Sequence, residues 1–484
     1  MSVLRSIVAA AALLTVSARA QRVVGKPFGF AAGTTGGGAA TPAAPSDITQ
    51  LAKWLSDDTP RVILIDKEFD FTGSEGTCSD CSCCIPSSNT CGSSGQNAIA
   101  TDFGWCGNSP NITCTYDTAG TEGLEVASDK SIVGVGSAGV IRGKGLRMTG
   151  GVSNIIIQNI HITEINPEYI WGGDAISLDG TDKIWIDHVK VSLVGRQMFV
   201  SGYESSGSVT ISNSEFDGRT DWSASCDGHH YWTLLGLGEN EQITFARNYI
   251  HHTSGRSPKL GETSYWHAYN NYWSDNTGHA FDAESTANAL IEGNVFSNVN
   301  TPLMEENLDA VFAVSADDES SCSGALGRSC IPNILTNSGE LSSAGDGVFS
   351  GWLSDEGALS LMPASQVAAY VMDHAGVGKP GAGDYSSSVA IPSSTPAPSS
   401  SALAKRHGRH DRHDDDGVRP GRFPRLTEAG PGASRTPGPA PSWTWRTVGV
   451  PTPKPTPCSS TALGKPTGGH LPPRFPIFGD LGIF

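Results

Sequence analysis

A short strand-like pattern recurs six times between residues 154 and 297, and it constrains the fold more than any other feature of this 484-residue chain. In each copy a brief apolar, partly alternating segment runs up to one polar residue, and these residues are Asn159, His188, Asn213, Asn248, Asn271 and Asn294. Their successive spacings are 29, 25, 35, 23 and 23 residues, which is typical of a solenoid. No helix-length pattern with a 3.6-residue period separates the copies. The repeat therefore predicts an all-β solenoid with one copy per coil.

The recurring asparagine has two explanations. Stacked coils would align the asparagine side chains into a ladder that satisfies the backbone groups of buried turns. Asparagine is also a common turn former without any ladder. We expect the ladder, with Asn159, Asn213, Asn248, Asn271 and Asn294 at one equivalent position.

The ends of the chain differ from its body. Residues 1–20 hold Arg5, an apolar run and a small-residue triplet, which predicts a signal peptide and a secreted, extracellular protein. Residues 21–377 have a globular composition, 378–401 resemble a Ser/Pro-rich linker, and 402–484 read as a disordered low-complexity tail or a gene-model error. In the tail, His407, His410 and His413 fit a solvated charge run better than a metal site.

The charge is uneven along the chain. The whole sequence carries −17, and residues 401–484 carry twelve basic and six acidic residues, so the first 400 residues carry −23. An acidic surface repels nucleic acid, anionic membranes and anionic polysaccharides. After the signal peptide, no stretch approaches the roughly 20 apolar residues of a membrane span. We therefore expect no nucleic-acid or membrane partner and an uncharged substrate, although acidity also serves solubility. We also expect a monomer.

Seven of the eleven cysteines lie between Cys78 and Cys114. The group Cys78–Cys84 has spacing that zinc ligands also use, but no paired histidines accompany it and export favours disulfides. Asn111, in the sequence Asn-Ile-Thr, is a predicted glycosylation site.

Three segments place charged and aromatic residues where a solenoid needs only small turns: YIWGGDAIS (169–177), GRQ (195–197) and SGRSPKL (254–260). They resemble the active-site segments of fungal pectin lyases in polysaccharide lyase family 1. The likeness extends from GFAAGTTGGGAATP near the predicted mature start to about Val377.

The resemblance implies a right-handed parallel β-helix, a pectate-lyase-like solenoid with cleft-forming loops. It implies cleavage of methyl-esterified homogalacturonan by β-elimination, without a metal or other cofactor. By matching segments, Asp174, Arg196 and Arg256 are the catalytic residues, with Arg256 as the base that takes the C5 proton. Free arginine stays protonated, so we expect Arg256 to be essential whether or not it is literally the base. Lys259 would add positive potential to the substrate site.

The resemblance also assigns aromatic residues and disulfides. Trp105, Trp171 and Trp232 match aromatic positions of the family cleft, where sugar rings stack. Trp185, Trp266 and Trp273 lie inside repeat strands and are assigned to the core or the wall. The implied bridges join Cys91 to Cys226, Cys322 to Cys330, and Cys106 to one cysteine of the Cys78–Cys84 group, with Cys83 as the candidate. The Asp187-His188 pair matches a family signature that we interpret as structural.

Three alternatives remain at this point. A calcium-dependent pectate lyase on the same fold would need clustered acidic ligands near Asp174, where this chain has Arg196. A polygalacturonase-type hydrolase would need opposed carboxylates, and that family's motifs are absent from the sequence. A non-catalytic β-helix that binds the plant cell wall is the third. We expect pectin lyase activity on highly methylated pectin, because Arg196 stands in place of a calcium ligand and the body of the chain is acidic. The presence of Asp174, Arg196 and Arg256 together argues against a non-catalytic protein.

Overall fold

The computed structural model describes residues 22–304, 308–357 and 359–381. The predicted signal peptide, the tail, nearly all of the linker and Cys458 lie outside these residues. Within the described part of the chain, no helix is long and apolar enough to cross a membrane.

Three long sheets of mainly parallel strands form the body of the molecule. Sheet 1 contains, in order, β1 (Arg61–Ile65), β7 (Lys130–Gly134), β10 (Ser153–Gln158), β14 (Asp182–Asp187), β17 (Val209–Ser212), β20 (Gln242–Ala246), β23 (Tyr265–Tyr269), β25 (Asn288–Glu292), β27 (Val311–Ala313) and β29 (Ser343–Ala344). Only the last pair, β27 with β29, is antiparallel.

Sheet 2 contains β2 (Glu68–Asp70), β8 (Val140–Arg142), β11 (His161–Ile165), β15 (Lys190–Val194), β18 (Glu215–Asp217), β21 (Tyr249–His251), β24 (Tyr272–Ala283), β26 (Val295–Leu303) and β28 (Ile334–Thr336). Sheet 3 contains β6 (Leu124–Glu125), β9 (Leu146–Thr149), β13 (Ile176–Asp179), β16 (Phe199–Ser201), β19 (Leu234–Gly236) and β22 (Lys259–Leu260). The end of β24 pairs with β22 and so joins the two sheets.

Each coil visits the three sheets in the same order, so neighbours in a sheet come from successive coils. The chain runs from a strand of sheet 1 through a tight turn to sheet 2, and then through a loop to sheet 3. This is a parallel β-helix, as the repeat and the resemblance predicted. The loops between sheets 2 and 3 vary in length, and they carry the three segments singled out in the sequence.

The parallel register stacks like residues inside the coils. One fully buried row runs through sheet 1 as Ile155, Ile184, Val209, Ile243, Trp266 and Ala289. Burying a large aliphatic side chain contributes roughly 1.5–3 kcal/mol, so such rows are the main source of stability. Trp185, Trp266 and Trp273 are all buried, in agreement with their assignment to packing.

The asparagine ladder exists, but its register differs from the prediction. Asn248, Asn271, Asn294 and Asn333 form it, and each amide Nδ2 donates to the next Oδ1 at 3.0 Å. Asn159 and Asn213 lie one position earlier, in left-handed turns with φ of 60° and 47°. Their equivalents in later coils include Arg247, with φ of 58°. The prediction that Asn159 and Asn213 belong to the ladder is therefore wrong, since they are turn formers.

Helices and a small sheet complete the described structure. The helices are α1 (Ile48–Ser56), α2 (Ser323–Leu326) and α3 (Ala364–His374), with 3-10 turns at Gly29–Ala31, Gly92–Ser94, Thr118–Thr121, Ala316–Asp318, Asp346–Phe349 and Trp352–Asp355. Asp47 caps α1 by accepting the Gln50 N–H, and Leu51 and Leu55 join the interior core. Sheet 4 contains β3 (Thr77–Cys84), β4 (Asn97–Ile99), β5 (Asn111–Asp117) and β12 (Tyr169–Ile170).

Five disulfides are present in the described residues. Cys91 bonds to Cys226 and Cys322 to Cys330, as expected. Cys106 bonds to Cys84, whereas Cys83 bonds to Cys114 and Cys78 to Cys81. The candidate pairing of Cys83 with Cys106 is therefore wrong. Adjacent residues of β3 point to opposite faces of sheet 4, so Cys83 and Cys84 reach different partners. The pairing of all four Cys78–Cys84 cysteines also removes the zinc alternative.

Asn111 begins β5 and is exposed, which leaves the sequon accessible. Its glycosylation stays a prediction.

Candidate active site

The candidate site is built on the loops that lead into sheet 3. Asp174, Arg196 and Arg256 each precede a strand of sheet 3, namely β13, β16 and β22, and the coil of β19 lies between the last two. The loops are tied to one another by backbone bonds: the Arg196 N–H donates to the Gly173 oxygen at 3.0 Å, and the Ala175 N–H donates to the Gln197 oxygen at 2.9 Å. The coil repeat thus brings together residues that lie up to 82 positions apart in the sequence.

Arg196 and Asp174 form a charged pair in the site. Arg196 is only 2% exposed, and its guanidinium carbon lies 3.7 Å from the centroid of the Trp171 ring. Asp174 Oδ1 accepts the Gln197 N–H at 2.8 Å. Desolvation raises the pKa of Asp174, while the positive charge of Arg196 opposes that rise. Asp174 therefore both balances Arg196 and holds the backbone beside it.

Arg256 lies in the same site and contacts the Trp232 ring that Arg196 also contacts. Its guanidinium carbon is 4.9 Å from the Trp232 ring and 5.8 Å from the Tyr231 ring. The Arg196 guanidinium is 5.7 Å from the same Trp232 ring, so one indole supports both cations. Arg256 is 6% exposed and has a left-handed φ of +44°.

The predicted sugar-stacking tryptophans divide into two kinds. Trp105 and Trp171 are half-buried and meet edge to face at 6.2 Å, and Phe103 also contacts Trp171 at 4.9 Å. Trp232 is 4% exposed, and its Nε1 donates to Gln96 Oε1 at 3.1 Å. The Trp232 ring contacts both arginines and supports them, and its assignment to substrate binding stays a prediction.

Lys259 has a different setting from the one predicted. Its Nζ lies 3.5 Å from Asp282 and 3.4 Å from Glu284. The two carboxylates offset its charge, while that charge still acts on the nearby His279 and Tyr231 rings. The role of Lys259 in substrate binding stays a prediction.

Two disulfides position the loops that carry the aromatic residues. The Cys84–Cys106 bond fixes the loop of Trp105 against sheet 4, and the Cys91–Cys226 bond holds the segment that leads to Trp232. Asp187, the last residue of β14, and His188, in the turn that follows, lie elsewhere, and His188 Nδ1 is 2.6 Å from Asp187 Oδ2. Their interpretation as structural residues agrees with that position.

Two residues of the site were missed in the sequence. Tyr231 contacts Trp232 edge to face at 4.9 Å, and His279 Nε2 accepts the Arg256 backbone N–H at 3.1 Å. His279 could have been found, because it follows Arg256 by 23 residues, which is the interval between Asn248 and Asn271. A residue one coil length away lies directly beside its predecessor.

Among the described residues, one group has the composition of a metal site: Glu215, Asp217 and His251 on sheet 2. Lys190 Nζ lies 2.8 Å from Glu215 and 3.1 Å from Asp217, and Arg219 also pairs with Asp217. These cations already balance the carboxylates, and the group lies outside the candidate site. Within that site Asp174 faces Arg196 instead of a second carboxylate.

Comparison with known proteins agrees with this architecture. The family model described as pectate lyase matches residues 1–380, so the chain belongs to the pectate lyase family. A probable pectin lyase F-2 from Aspergillus terreus is 82% identical over 488 aligned residues that cover all of both chains. A probable pectin lyase F from Aspergillus niger is 63% identical over 90% of each chain.

The solved structures that the chain matches are more distant in sequence. A pectate lyase bound to a hexasaccharide is 17% identical, with a TM-score of 0.48, over 75% of this chain and 100% of that chain. A pectate lyase variant from Xanthomonas campestris is 20% identical, with a TM-score of 0.47, over 73% of this chain and 98% of that chain.

Proposed function

We propose that this protein is a secreted pectin lyase that cleaves α-1,4 links between methyl-esterified galacturonate residues by β-elimination. The observation that carries the proposal is the pair of buried arginines, Arg196 and Arg256, that share the Trp232 ring beside Asp174. The relatives named probable pectin lyase, at 63–82% identity, support it.

The reaction needs positive charge beside the C6 carbonyl oxygen of the substrate. Removal of the C5 proton, alpha to the C6 carbonyl, puts negative charge on that carbonyl oxygen. The electrons of the C5–H bond form the C4–C5 double bond, the C4–O4 bond breaks, and the departing oxygen takes up a proton. Cations fixed before the reaction stabilise the enolate-like anion without reorganisation. Arg196 and Arg256 supply such cations, and stacking on tryptophan keeps them in place.

The site favours an uncharged substrate group. The carboxylates near the arginines already have cationic partners: Asp174 faces Arg196, and Asp282 and Glu284 share Lys259. A calcium site for a free substrate carboxylate would need several acidic ligands without such partners. A methyl ester needs no neutralising metal and itself acidifies the C5 proton. The acidic body of the chain also disfavours polygalacturonate.

We expect the purified protein to act on highly methylated pectin in the presence of a chelator. The measurement is the absorbance of the unsaturated product near ~235 nm, which arises from the conjugated double bond that elimination forms. Polygalacturonate, with and without calcium, is the comparison substrate. Loss of activity in chelator that calcium restores would instead identify a pectate lyase, and reducing sugar without this absorbance would identify a hydrolase.

Asp174→Asn should lower kcat about tenfold or more while KM changes little. The amide oxygen can still accept the Gln197 N–H, but the charge that balances Arg196 is lost. Asp174→Ala should lower kcat further, because the backbone beside Arg196 also loses its acceptor. Steady-state kinetics of both variants on methylated pectin would test this order. An equal loss of kcat in the two variants would show that Asp174 does not act by holding the backbone beside Arg196.

A further inference from the structure

His279 lies one coil away from Arg256 and contacts its backbone. It is part of β24, at the place where the register with β26 shifts between Asn276 and His279. The imidazole is 13% exposed, and the Tyr231 ring packs edge to face on it at 5.8 Å. At Gly255 a Cβ atom would lie 2.5 Å from the Tyr231 ring and 3.0 Å from the His279 ring. The two rings and this backbone are therefore closely packed.

The contact holds an unfavourable backbone conformation. The Arg256 N–H donates to His279 Nε2 at 3.1 Å, and Arg256 has φ of +44°. A left-handed conformation is unfavourable for a non-glycine residue, and it persists only where the surroundings fix it. The direction in which the Arg256 side chain leaves the backbone depends on this conformation. His279 thus acts on the direction of the guanidinium through the Arg256 backbone.

Only the neutral imidazole can make this hydrogen bond, because Nε2 must present a lone pair. The charged or titratable groups that face His279 are Arg256, Lys259, Asp282 and Tyr231. Burial lowers the pKa of His279, the positive charges of Arg256 and Lys259 act in the same direction, and Asp282 opposes them. At sufficiently low pH the ring gains a proton, loses its lone pair and places a new positive charge beside Arg256.

We propose that the neutral imidazole of His279 is a positioning residue that fixes Arg256 through its backbone N–H, so that protonation of His279 limits turnover on the acid side. The effect on turnover rests on the proposed pectin lyase activity. The hydrogen bond itself does not.

Two variants separate the acceptor from the titration. His279→Gln offers an amide oxygen at similar reach and does not titrate, whereas His279→Leu offers no acceptor. On methylated pectin we expect His279→Leu to lower kcat about tenfold, the equivalent of one hydrogen bond, with little change in KM. The kcat of His279→Gln should stay within about threefold of wild type at the pH optimum. Its pH profile should lack the acid limb that protonation of His279 produces in wild type. His161→Gln is the matched control, since His161 is another largely buried histidine, on sheet 2 and outside the site.

A second measurement needs no turnover. Hydrogen exchange of the Arg256 amide should be faster in His279→Leu than in wild type by about tenfold, and close to wild type in His279→Gln. Unchanged exchange in His279→Leu, in a protein with wild-type Tm, would overturn the proposed contact. An unchanged acid limb in His279→Gln would overturn the link to turnover. If exchange is faster in His279→Leu but the wild-type protein does not act on pectin, only the proposed function is refuted.

Discussion

Arg256→Ala is expected to lower kcat/KM on methylated pectin by at least about 10²–10³, the loss that follows removal of one group that stabilises a developing oxyanion. The guanidinium is buried against Trp232 and Tyr231, so water cannot replace its charge at the same position. Arg219→Ala is the matched control, because the Arg219 side chain is 61% exposed and pairs with Asp217 on sheet 2. We expect the control to keep wild-type kinetics. Activity of Arg256→Ala within about tenfold of wild type would refute its catalytic assignment.

The same residue can be tested as a base. An arginine takes a proton only where desolvation and nearby positive charge disfavour its protonated form, and Arg196 shares the Trp232 ring with Arg256. Arg256→Lys keeps a cation but changes the reach and geometry of the donors. If Arg256 takes the C5 proton, the substitution should move one limb of the pH profile of kcat/KM. If Arg256 only stabilises the anion, every limb should keep its position while the rate falls. The His279→Gln variant provides the profile from which the histidine contribution is absent.

The fold was predictable because each coil of a solenoid repeats the same sequence pattern for the same structural reasons. A short apolar segment followed by a polar turn residue appears in every coil, so the strands and their stacking follow from the pattern alone. The register was less accessible, since two adjacent positions both favour asparagine. One is the left-handed turn of Asn159 and Asn213, and the other is the ladder of Asn248 and Asn271. The sequence repeat predicts that Asn213 and Asn248, 35 residues apart, are equivalent. In the structure Asn213 is equivalent to Arg247, the residue before Asn248.

The charged residues of the candidate site could be predicted from the sequence, whereas the contacts of the residues that pack around them could not. Asp174, Arg196 and Arg256 stand in distinctive segments, whereas the burial of Trp232 and the pairing of Lys259 depend on loops packed in three dimensions. The partner of Cys106 depended on which face of β3 each cysteine occupies. Such choices arise from tertiary packing, which a single sequence does not display.

A second large effect is expected far from the catalytic arginines, in a buried charged network on sheet 1. His267 Nε2 is 2.9 Å from Glu292 Oε1, and its Nδ1 is 2.6 Å from Glu356 Oε2. Arg328 also pairs with Glu292, and Thr244 Oγ1 donates to Glu356 at 2.6 Å. Glu356 directly follows the Trp352–Asp355 turn. The imidazolium therefore ties that late segment of the chain to the strands of the β-helix.

Removing the imidazole should be costly because it leaves carboxylates buried. Breaking a buried ion pair from one side costs about 3–5 kcal/mol, and His267 and Glu292 are both fully buried. His267→Leu should therefore lower the free energy of unfolding by about that amount, visible as a drop of Tm by several degrees. His374 is half-buried on α3 and lies outside this network, so the control variant His374→Leu should change Tm less. A wild-type Tm in His267→Leu would contradict the structural role of the network.

The pH dependence of stability gives this network a distinct signature. The two carboxylates raise the pKa of His267 to about 9 against the desolvation that opposes them, while an unfolded histidine titrates near ~6.5. The stabilisation is therefore complete below the unfolded value and is lost as the pH rises through about 9. Burial also raises the pKa of Glu241 to about 8, which removes stability over an overlapping range, but it does so in every variant. Wild type should lose Tm between pH 7 and pH 10 more steeply than His267→Gln, which cannot titrate there, and parallel curves for the two proteins would show that His267 is not charged in the folded state.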